Sequence, residues 1–131
     1  MTDRPIKEIF LELFGAFSSG DEAVIRKLLA KDAVWRFPGA EGRLAGEHRG
    51  ADAIIAFLQS VRELTNGTFE FALERVIAEG DSLVVMFEGS GERNDMTLAN
   101  PTCLVLQFEN GQLCEAREFV WDLTHVEAFW A

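Results

Sequence analysis

Apolar residues recur every three or four positions in three segments of the chain, which is the pattern of an amphipathic helix. The predicted helices span residues 5–17, 22–29 and 51–64. Thr2 or Asp3 is the expected cap of the first helix and Asp21 that of the second, because such side chains accept hydrogen bonds from the free N–H groups of a first turn. Each helix therefore has one apolar face to bury.

Shorter segments alternate apolar and polar residues, which is the period of a β-strand. The predicted strands span residues 33–37, 69–77, 83–88, 102–108 and 113–122. Residues 39–50 are predicted to be a glycine-rich loop, and Gly89-Ser90-Gly91 is expected to bend or end the third strand before a polar connection at 92–95. Asn110-Gly111 separates the last two strands and predicts a tight hairpin, because both residues tolerate a positive φ.

The order of these elements is helix, helix, strand, helix and then a meander of about four strands. This order predicts an α+β fold, because strands and helices are segregated instead of alternating. Thr124 and Glu127 match a capping box, which predicts a short C-terminal helix. No repeat, linker or low-complexity segment interrupts the sequence, so we expect a single domain over residues 1–131. Helices on one face of a curved sheet would leave a cavity between the two layers.

One face of the last strand carries an acid among apolar neighbours. Alternation gives the first face Cys114, Ala116, Glu118, Val120 and Asp122, and the second face Leu113, Glu115, Arg117, Phe119 and Trp121. If the first face packs against helices, Glu118 loses hydration, and its pKa rises towards the range of a general acid or base. Two other placements of Glu118 stay open, namely pairing with Arg117 of a neighbouring subunit and exposure at an open rim.

Composition narrows the set of partners. The chain carries 12 Lys and Arg against 22 Asp and Glu, for a formal net charge of −10, so nucleic acid and anionic membranes are not expected as partners. The first ten residues contain no apolar core of a secretory signal, and no apolar run approaches the length of a membrane span. A cytoplasmic location is therefore expected.

Neither metal nor cofactor binding is predicted. Cys103 and Cys114 have no neighbouring His or second Cys at ligand spacing, so we expect buried, reduced thiols. His48 and His125 are far apart in the sequence, and the Gly-Ser-Gly segment lacks the strand-to-helix context of a phosphate-binding loop. The chain also has no Tyr, which excludes chemistry that needs a phenol.

Two segments resemble a known family. Residues 32–58, DAVWRFPGAEGRLAGEHRGADAIIAFL, and residues 109–122, ENGQLCEAREFVWD, are similar to the SnoaL-like and ketosteroid isomerase-related branch of the nuclear transport factor 2 superfamily. The resemblance implies a cone-shaped, curved antiparallel sheet wrapped on three helices, with a short C-terminal helix, in the cystatin-like α+β class. It also implies a pocket between the layers and, commonly, a homodimer formed through the outer sheet face. Enzymes and non-enzymatic binding domains share this fold.

The catalytic constellation of ketosteroid isomerases is missing at the positions that correspond to it. Those enzymes use a carboxylate base, a Tyr and a protonated Asp. The corresponding positions here hold Phe37, Leu13 and Leu104. Apolar side chains can neither abstract a proton nor hydrogen-bond an enolate, so ketosteroid isomerisation by that route is excluded.

The resemblance further implies a mostly apolar pocket wall suited to a small hydrophobic molecule. The implied ligand-binding residues are Trp35, Phe37, Phe87, Leu104, Ala116, Val120 and Asp122. Trp35 fits an ordinary core residue equally well, and Asp122 lies ~13 Å along the strand from Glu118, so a cap at the last helix suits it better than a carboxylate pair.

Three residues are candidates for catalysis. SnoaL-like cyclases place an acid on a late strand, which is similar to the position of Glu118. Asn100 can orient a carbonyl or hydroxyl group, although Asn-Pro is also a common turn signal. His48 can shuttle protons at neutral pH, although a lone loop histidine is commonly solvated.

Three functions follow as hypotheses. The first is a cofactor-independent isomerase, cyclase or hydratase that acts on a small hydrophobic substrate with Glu118 as acid or base. The second is a non-catalytic binding module, and the third is a structural dimerisation domain. An apolar patch is predicted on the outer sheet face, which either a homodimer or the C-terminal helix would cover. Its members are Val84, Met86, Phe119 and Trp121.

Overall fold

The computed structural model of the protein describes residues 4–131. The four helices are α1 (Ile6–Ser19), α2 (Glu22–Leu28), α3 (Ala51–Leu64) and α4 (Leu123–Trp130). The six strands are β1 (Leu29–Phe37), β2 (Gly46–Arg49), β3 (Glu70–Glu79), β4 (Ser82–Arg93), β5 (Met96–Glu109) and β6 (Gln112–Val120). This confirms the α+β class. The predicted cap at Thr2 or Asp3 lies outside the described residues.

The six strands form one curved sheet in the order β2-β1-β6-β5-β4-β3. All neighbours are antiparallel except β1 and β6, which run parallel and bring Trp35 beside Ala116. The expected wholly antiparallel sheet is therefore corrected to a mixed one. The apolar faces of the helices pack on the inner face of the sheet, so β1 and the last strand of the hairpin share one wall of the core.

The strand β4 does not end at its glycines, which were expected either to bend or to end it. It runs on to Arg93, and the chain turns at Asn94 and Asp95, which both have positive φ. The glycines make room for neighbours instead: a Cβ at Gly89 would lie 3.2 Å from the ring of Phe69. β5 begins earlier than predicted, at Met96, because it pairs with the whole of β4 up to Arg93.

Two further boundaries differ from the prediction. β2 lies inside the segment predicted to be a loop, where it pairs with the end of β1. β6 contains a bulge, because Leu113 lies opposite Phe108 while Glu115 lies opposite Gln107, which leaves Cys114 as an extra residue. Leu113 is consequently buried although it was predicted to face outwards, and the expected alternation holds only from Ala116 onwards.

The thiols and the last cap also need correction. Cys103 and Cys114 are free but only partly buried, so the expectation of buried thiols is wrong. The side chain of Asp122 caps α4 by accepting a hydrogen bond from His125 N at 3.0 Å, as expected for that residue. Thr124 is therefore not the cap, and Glu127 accepts from Ala40 N in a distant loop instead of closing a capping box.

Phenylalanines dominate the space between α1 and strands β3 and β4. Phe14 stacks on Phe71 with ring centroids 4.2 Å apart, and Phe71 meets Phe87 edge to face at 5.1 Å. Such rings bury large apolar areas and fix one another's orientation. Within residues 4–131 no helix is long and apolar enough to cross a membrane.

Candidate active site

A cavity lies between the helices and the inner face of the sheet. The space open to the centre of a water-sized sphere is about 50 Å³. Its lining residues are Phe10, Leu13, Phe14, Phe17, Trp35, Phe37, Phe57, Leu58, Val61, Phe69, Phe71, Phe87, Asn100, Leu104, Leu106, Glu118 and Trp130. By this measure each water needs roughly 10–15 Å³, so the cavity is narrow, and a larger ligand requires the phenyl rings of the wall to move apart.

Glu118 projects from β6 into this cavity and is held there by Trp35. The indole Nε1–H of Trp35 donates to Glu118 Oε1 at 2.8 Å, because the parallel pairing of β1 with β6 places the two side chains on the same face. No hydrogen bond joins the other carboxyl oxygen to a residue within 4–131, and Glu118 is one of the residues that line the cavity. One oxygen is thus fixed and the other is available.

The surroundings of Glu118 change its ionisation. Desolvation in the apolar wall raises the pKa of Glu118 to about 7, against a smaller lowering by the hydrogen bond from Trp35. Both ionisation states are therefore populated at neutral pH. Arg117 lies on the opposite face of β6, where it contacts Glu115 at 3.7 Å, so it does not neutralise Glu118 within the chain.

Asn100 also faces the cavity, but at some distance from Glu118. Its side chain is buried, with the residue 6% exposed, and its Oδ1 has no hydrogen-bond partner among the described residues. Leu104 is the residue of β5 that lies opposite Glu118. Since Asn100 precedes Leu104 by four residues, the two polar groups arise from backbone positions ~13 Å apart along the strand.

Trp130 is a lining residue that the sequence analysis did not identify. Its indole Nε1 is buried and has no hydrogen-bond partner among the described residues. Arg93 holds this end of the chain, since its Nη1 donates to Phe129 O at 2.9 Å and to Ala131 O at 2.7 Å. Nothing in the local sequence separates Trp130 from an ordinary apolar residue of a terminal helix.

His48 does not reach the cavity. Its Nε2 donates to Leu44 O at 2.8 Å, and its ring stacks on Phe57, with the centroids 4.4 Å apart. Phe57 itself lines the cavity, so it separates His48 from Glu118. His48 therefore lies outside the cavity that Glu118 and Asn100 line, and this position does not support its predicted role in shuttling protons.

Some of the predicted ligand-binding residues line the cavity and others do not. Trp35, Phe37, Phe87 and Leu104 line the cavity. Three residues do not line it. Ala116 is completely buried in the sheet, Val120 lines a separate depression, and Asp122 is exposed at the cap of α4. Asp122 does not line the cavity because β6 ends at Val120 and the chain then turns into α4.

The three positions that correspond to the catalytic residues of ketosteroid isomerases lie in the wall of the cavity. Leu13, Phe37 and Leu104 all line the cavity, so they give it apolar walls where those enzymes have polar groups. Across residues 4–131, no three His, Cys, Asp or Glu side chains are placed to hold a metal ion. The chemistry that the described side chains offer is therefore concentrated at Glu118.

Comparison with known proteins agrees with this architecture. Residues 10–116 match the family described as the SnoaL-like domain. The chain belongs to the SnoaL-like family. An uncharacterised family relative from Mycobacterium tuberculosis is 29% identical over 132 residues, covering 100% of both chains.

Two solved structures are also similar to this SnoaL-like chain. Bal32a, from a soil-derived mobile gene cassette, is 31% identical, with 96% of each chain covered and a TM-score of 0.91. A Xanthomonas campestris protein of unknown function with a cystatin-like fold is 30% identical, with 98% of this chain and 99% of that chain covered and a TM-score of 0.88. The likeness to the Xanthomonas campestris protein confirms the cystatin-like fold that the family resemblance implied.

Proposed function

We propose that this SnoaL-like protein is a cofactor-independent enzyme of the isomerase, cyclase or hydratase type. Its substrate is a small hydrophobic molecule, and Glu118 is its general acid or base. The observation that carries the proposal is a carboxyl that lines an apolar cavity with one oxygen held by Trp35, and desolvation there raises the pKa of Glu118 to about 7. A group with such a pKa can accept and return a proton at neutral pH.

The surroundings of Glu118 support proton transfer in two ways. Trp35 holds one carboxyl oxygen and stabilises the charge that the carboxylate carries before it accepts a proton. The apolar wall excludes water, which makes an ionised carboxylate a stronger base than in solution. A substrate pressed against the aromatic wall would present a C–H or O–H group to the free oxygen of Glu118.

The ionisation of Glu118 can be measured through its partner. The chain has three Trp residues, so its indole N–H signals in a ¹H–¹⁵N NMR spectrum are few and can be assigned with Trp→Phe variants. We expect the Trp35 signal to titrate with a midpoint near pH 7. The Glu118→Gln variant, which keeps the shape but cannot ionise, should abolish this titration. A wild-type midpoint near 4.5, the ordinary value, would contradict the proposal.

Proton abstraction can be tested without the natural substrate. In 5-nitrobenzisoxazole a base removes the ring C–H proton while the N–O bond breaks, giving a coloured cyanophenolate, and apolar surroundings accelerate this reaction. We expect turnover that rises with pH through about 7 and falls on the order of 10²-fold or more in Glu118→Gln. Equal rates in wild type and variant would count against Glu118 as a base.

A non-catalytic binding module is the second candidate function. It is favoured by the apolar residues Leu13, Phe37 and Leu104 at the positions where ketosteroid isomerases have polar groups. The same probe separates the two functions. Binding of the probe, seen as a raised melting temperature, without any Glu118-dependent reaction supports the binding module.

A further inference from the structure

Asn100 and Trp130 lie at the same end of the cavity. Asn100 pairs with Gly89 across β5 and β4, and the ring of Phe69 packs over Gly89. The ring of Trp130 lies next to Phe69, with centroids 6.3 Å apart. These four residues define the Asn100–Trp130 end of the cavity, and Glu118 lies at the other.

Each of the two polar residues has a buried atom without a partner. Within the described part of the chain, Asn100 Oδ1 is an acceptor without a donor, and Trp130 Nε1–H is a donor without an acceptor. They do not satisfy each other. A buried polar group left unpaired costs roughly 1–3 kcal/mol, so two at one end of a cavity are a substantial cost to the unliganded protein. A ligand group that pairs with both would remove that cost.

The charges around the cavity decide which ligand group fits. Among the described residues that line the cavity there is no Lys, Arg or His, so an anionic group would be buried without a counter-charge from them. A hydroxyl is neutral and both donates and accepts, which matches one acceptor and one donor. Turning the Asn100 amide over would replace the unpaired acceptor with an unpaired donor, and a hydroxyl satisfies that arrangement as well.

We propose that the Asn100–Trp130 end binds a hydroxyl group of the substrate. The hydroxyl donates to Asn100 Oδ1 and accepts from Trp130 Nε1–H, while the aromatic wall holds the apolar body. The substrate class is therefore a small, neutral alcohol or phenol. This inference deepens the proposed function, because the hydroxyl would anchor the substrate while its reacting centre lies near Glu118. Arg93 serves the site indirectly by holding the end of α4 that carries Trp130.

Phenol and toluene are matched probes, because they differ by a hydroxyl in place of a methyl group and both are neutral at pH 6. Their dissociation constants can be measured by NMR titration of the full chain. We expect wild type to prefer phenol over toluene by about five- to tenfold, the effect of about one net hydrogen bond. The preference should disappear in Asn100→Leu and in Trp130→Phe. It should persist in Trp121→Phe, the control, because Trp121 is 86% exposed.

A stability measurement separates a ligand-binding role of Asn100 from a structural one. Asn100→Leu removes an unpaired buried acceptor at similar volume, so the unliganded variant should melt at a higher temperature than wild type. A lower melting temperature, with the phenol preference retained in Trp130→Phe, would overturn the proposal. Equal affinities of wild type for the two probes would also overturn it, and so would failure of both to bind.

Failure of this inference can be told apart from failure of the proposed function. Glu118→Gln should retain the phenol preference, because Glu118 lies at the other end of the cavity. A lost preference in wild type, with normal titration of Glu118, refutes the hydroxyl site alone. A normal preference with Glu118 titrating near 4.5 refutes the acid–base role alone.

Discussion

Glu118 binds its proton more tightly in the folded chain than in the unfolded chain, where its ordinary pKa of 4.5 applies. Below about pH 4.5 the residue is protonated in both states. As the pH rises through about 7, the folded protein must ionise a buried carboxyl, and stability is lost, by about 3 kcal/mol in total.

The first prediction compares Glu118→Gln with wild type. Glutamine cannot ionise, so the variant should gain stability relative to wild type as the pH is raised from about 5 to about 8. Urea unfolding at a series of pH values measures the difference, in which the titration of all other groups cancels. A difference that is independent of pH would show that the pKa of Glu118 is the same in the folded and the unfolded chain.

The second prediction concerns the hydrogen bond from Trp35. Because this bond favours the ionised carboxylate, Trp35→Phe should raise the pKa of Glu118 above 7. The carboxyl ¹³C signal of labelled Glu118 reports the midpoint directly. Trp121→Phe is the matched control and should leave it unchanged, since Trp121 is exposed. A fall in the pKa of Glu118 would mean that water has entered beside the smaller ring.

At the scale of elements, α4 matters because it carries Trp130 to the cavity. Its start is fixed by Asp122 and its end by Arg93, so both ends of the helix are tied to other groups. Charge and hydrogen bonding cooperate at the start, because a carboxylate at a helix N-terminus also interacts favourably with the helix dipole.

The third prediction therefore compares two alanine variants at the start of α4. Asp122→Ala should lower the free energy of unfolding by about 1 kcal/mol, because the first turn loses its cap. Thr124→Ala should change it little, since Thr124 does not cap the helix. Denaturant unfolding measures both. A larger loss of unfolding free energy in Thr124→Ala than in Asp122→Ala would instead support the capping box that the sequence predicted.

At the scale of the whole molecule, the outer face of the sheet carries an apolar patch. Strand pairing aligns Met86 with Cys103 and Phe119 across three strands, and it aligns Val84 with Val105 across two, with Arg117 next in that second row. Phe119 is 52% exposed and Trp121 86%, so α4 does not cover the predicted patch. We therefore predict that a second copy of the chain covers this surface.

The fourth prediction is that the protein is a homodimer through this face. Phe119→Glu should convert it to a monomer, because the charge would be buried without a partner in the interface. Sedimentation or light scattering gives the mass. Leu11→Glu is the matched control, since Leu11 is 44% exposed on α1, away from the sheet, and should leave the dimer intact. A monomeric wild type would refute the prediction.

Local patterns in the sequence determined much of this structure. Helical periodicity located α1 to α3, and the hairpin followed from Asn110-Gly111, whose two residues both have positive φ. Alternation from Ala116 onwards placed Glu118 on the inner face, and the likeness to the SnoaL-like family supplied the fold. These features depend on residues that are close together in the chain, where side-chain period and turn preference act directly.

Only the tertiary structure decided how distant segments meet. The parallel pairing of β1 with β6 brought Trp35 to Glu118, 83 positions away in sequence, and packing against the sheet brought Trp130 to the end of the cavity that holds Asn100. Gly89 of β4 leaves room for the ring of Phe69, and the bulge at Cys114 turns Leu113 to the buried side of the sheet. Hydrogen bonds and desolvation depend on separation in space, so these contacts, and the pKa of Glu118 with them, arise only when the chain is folded.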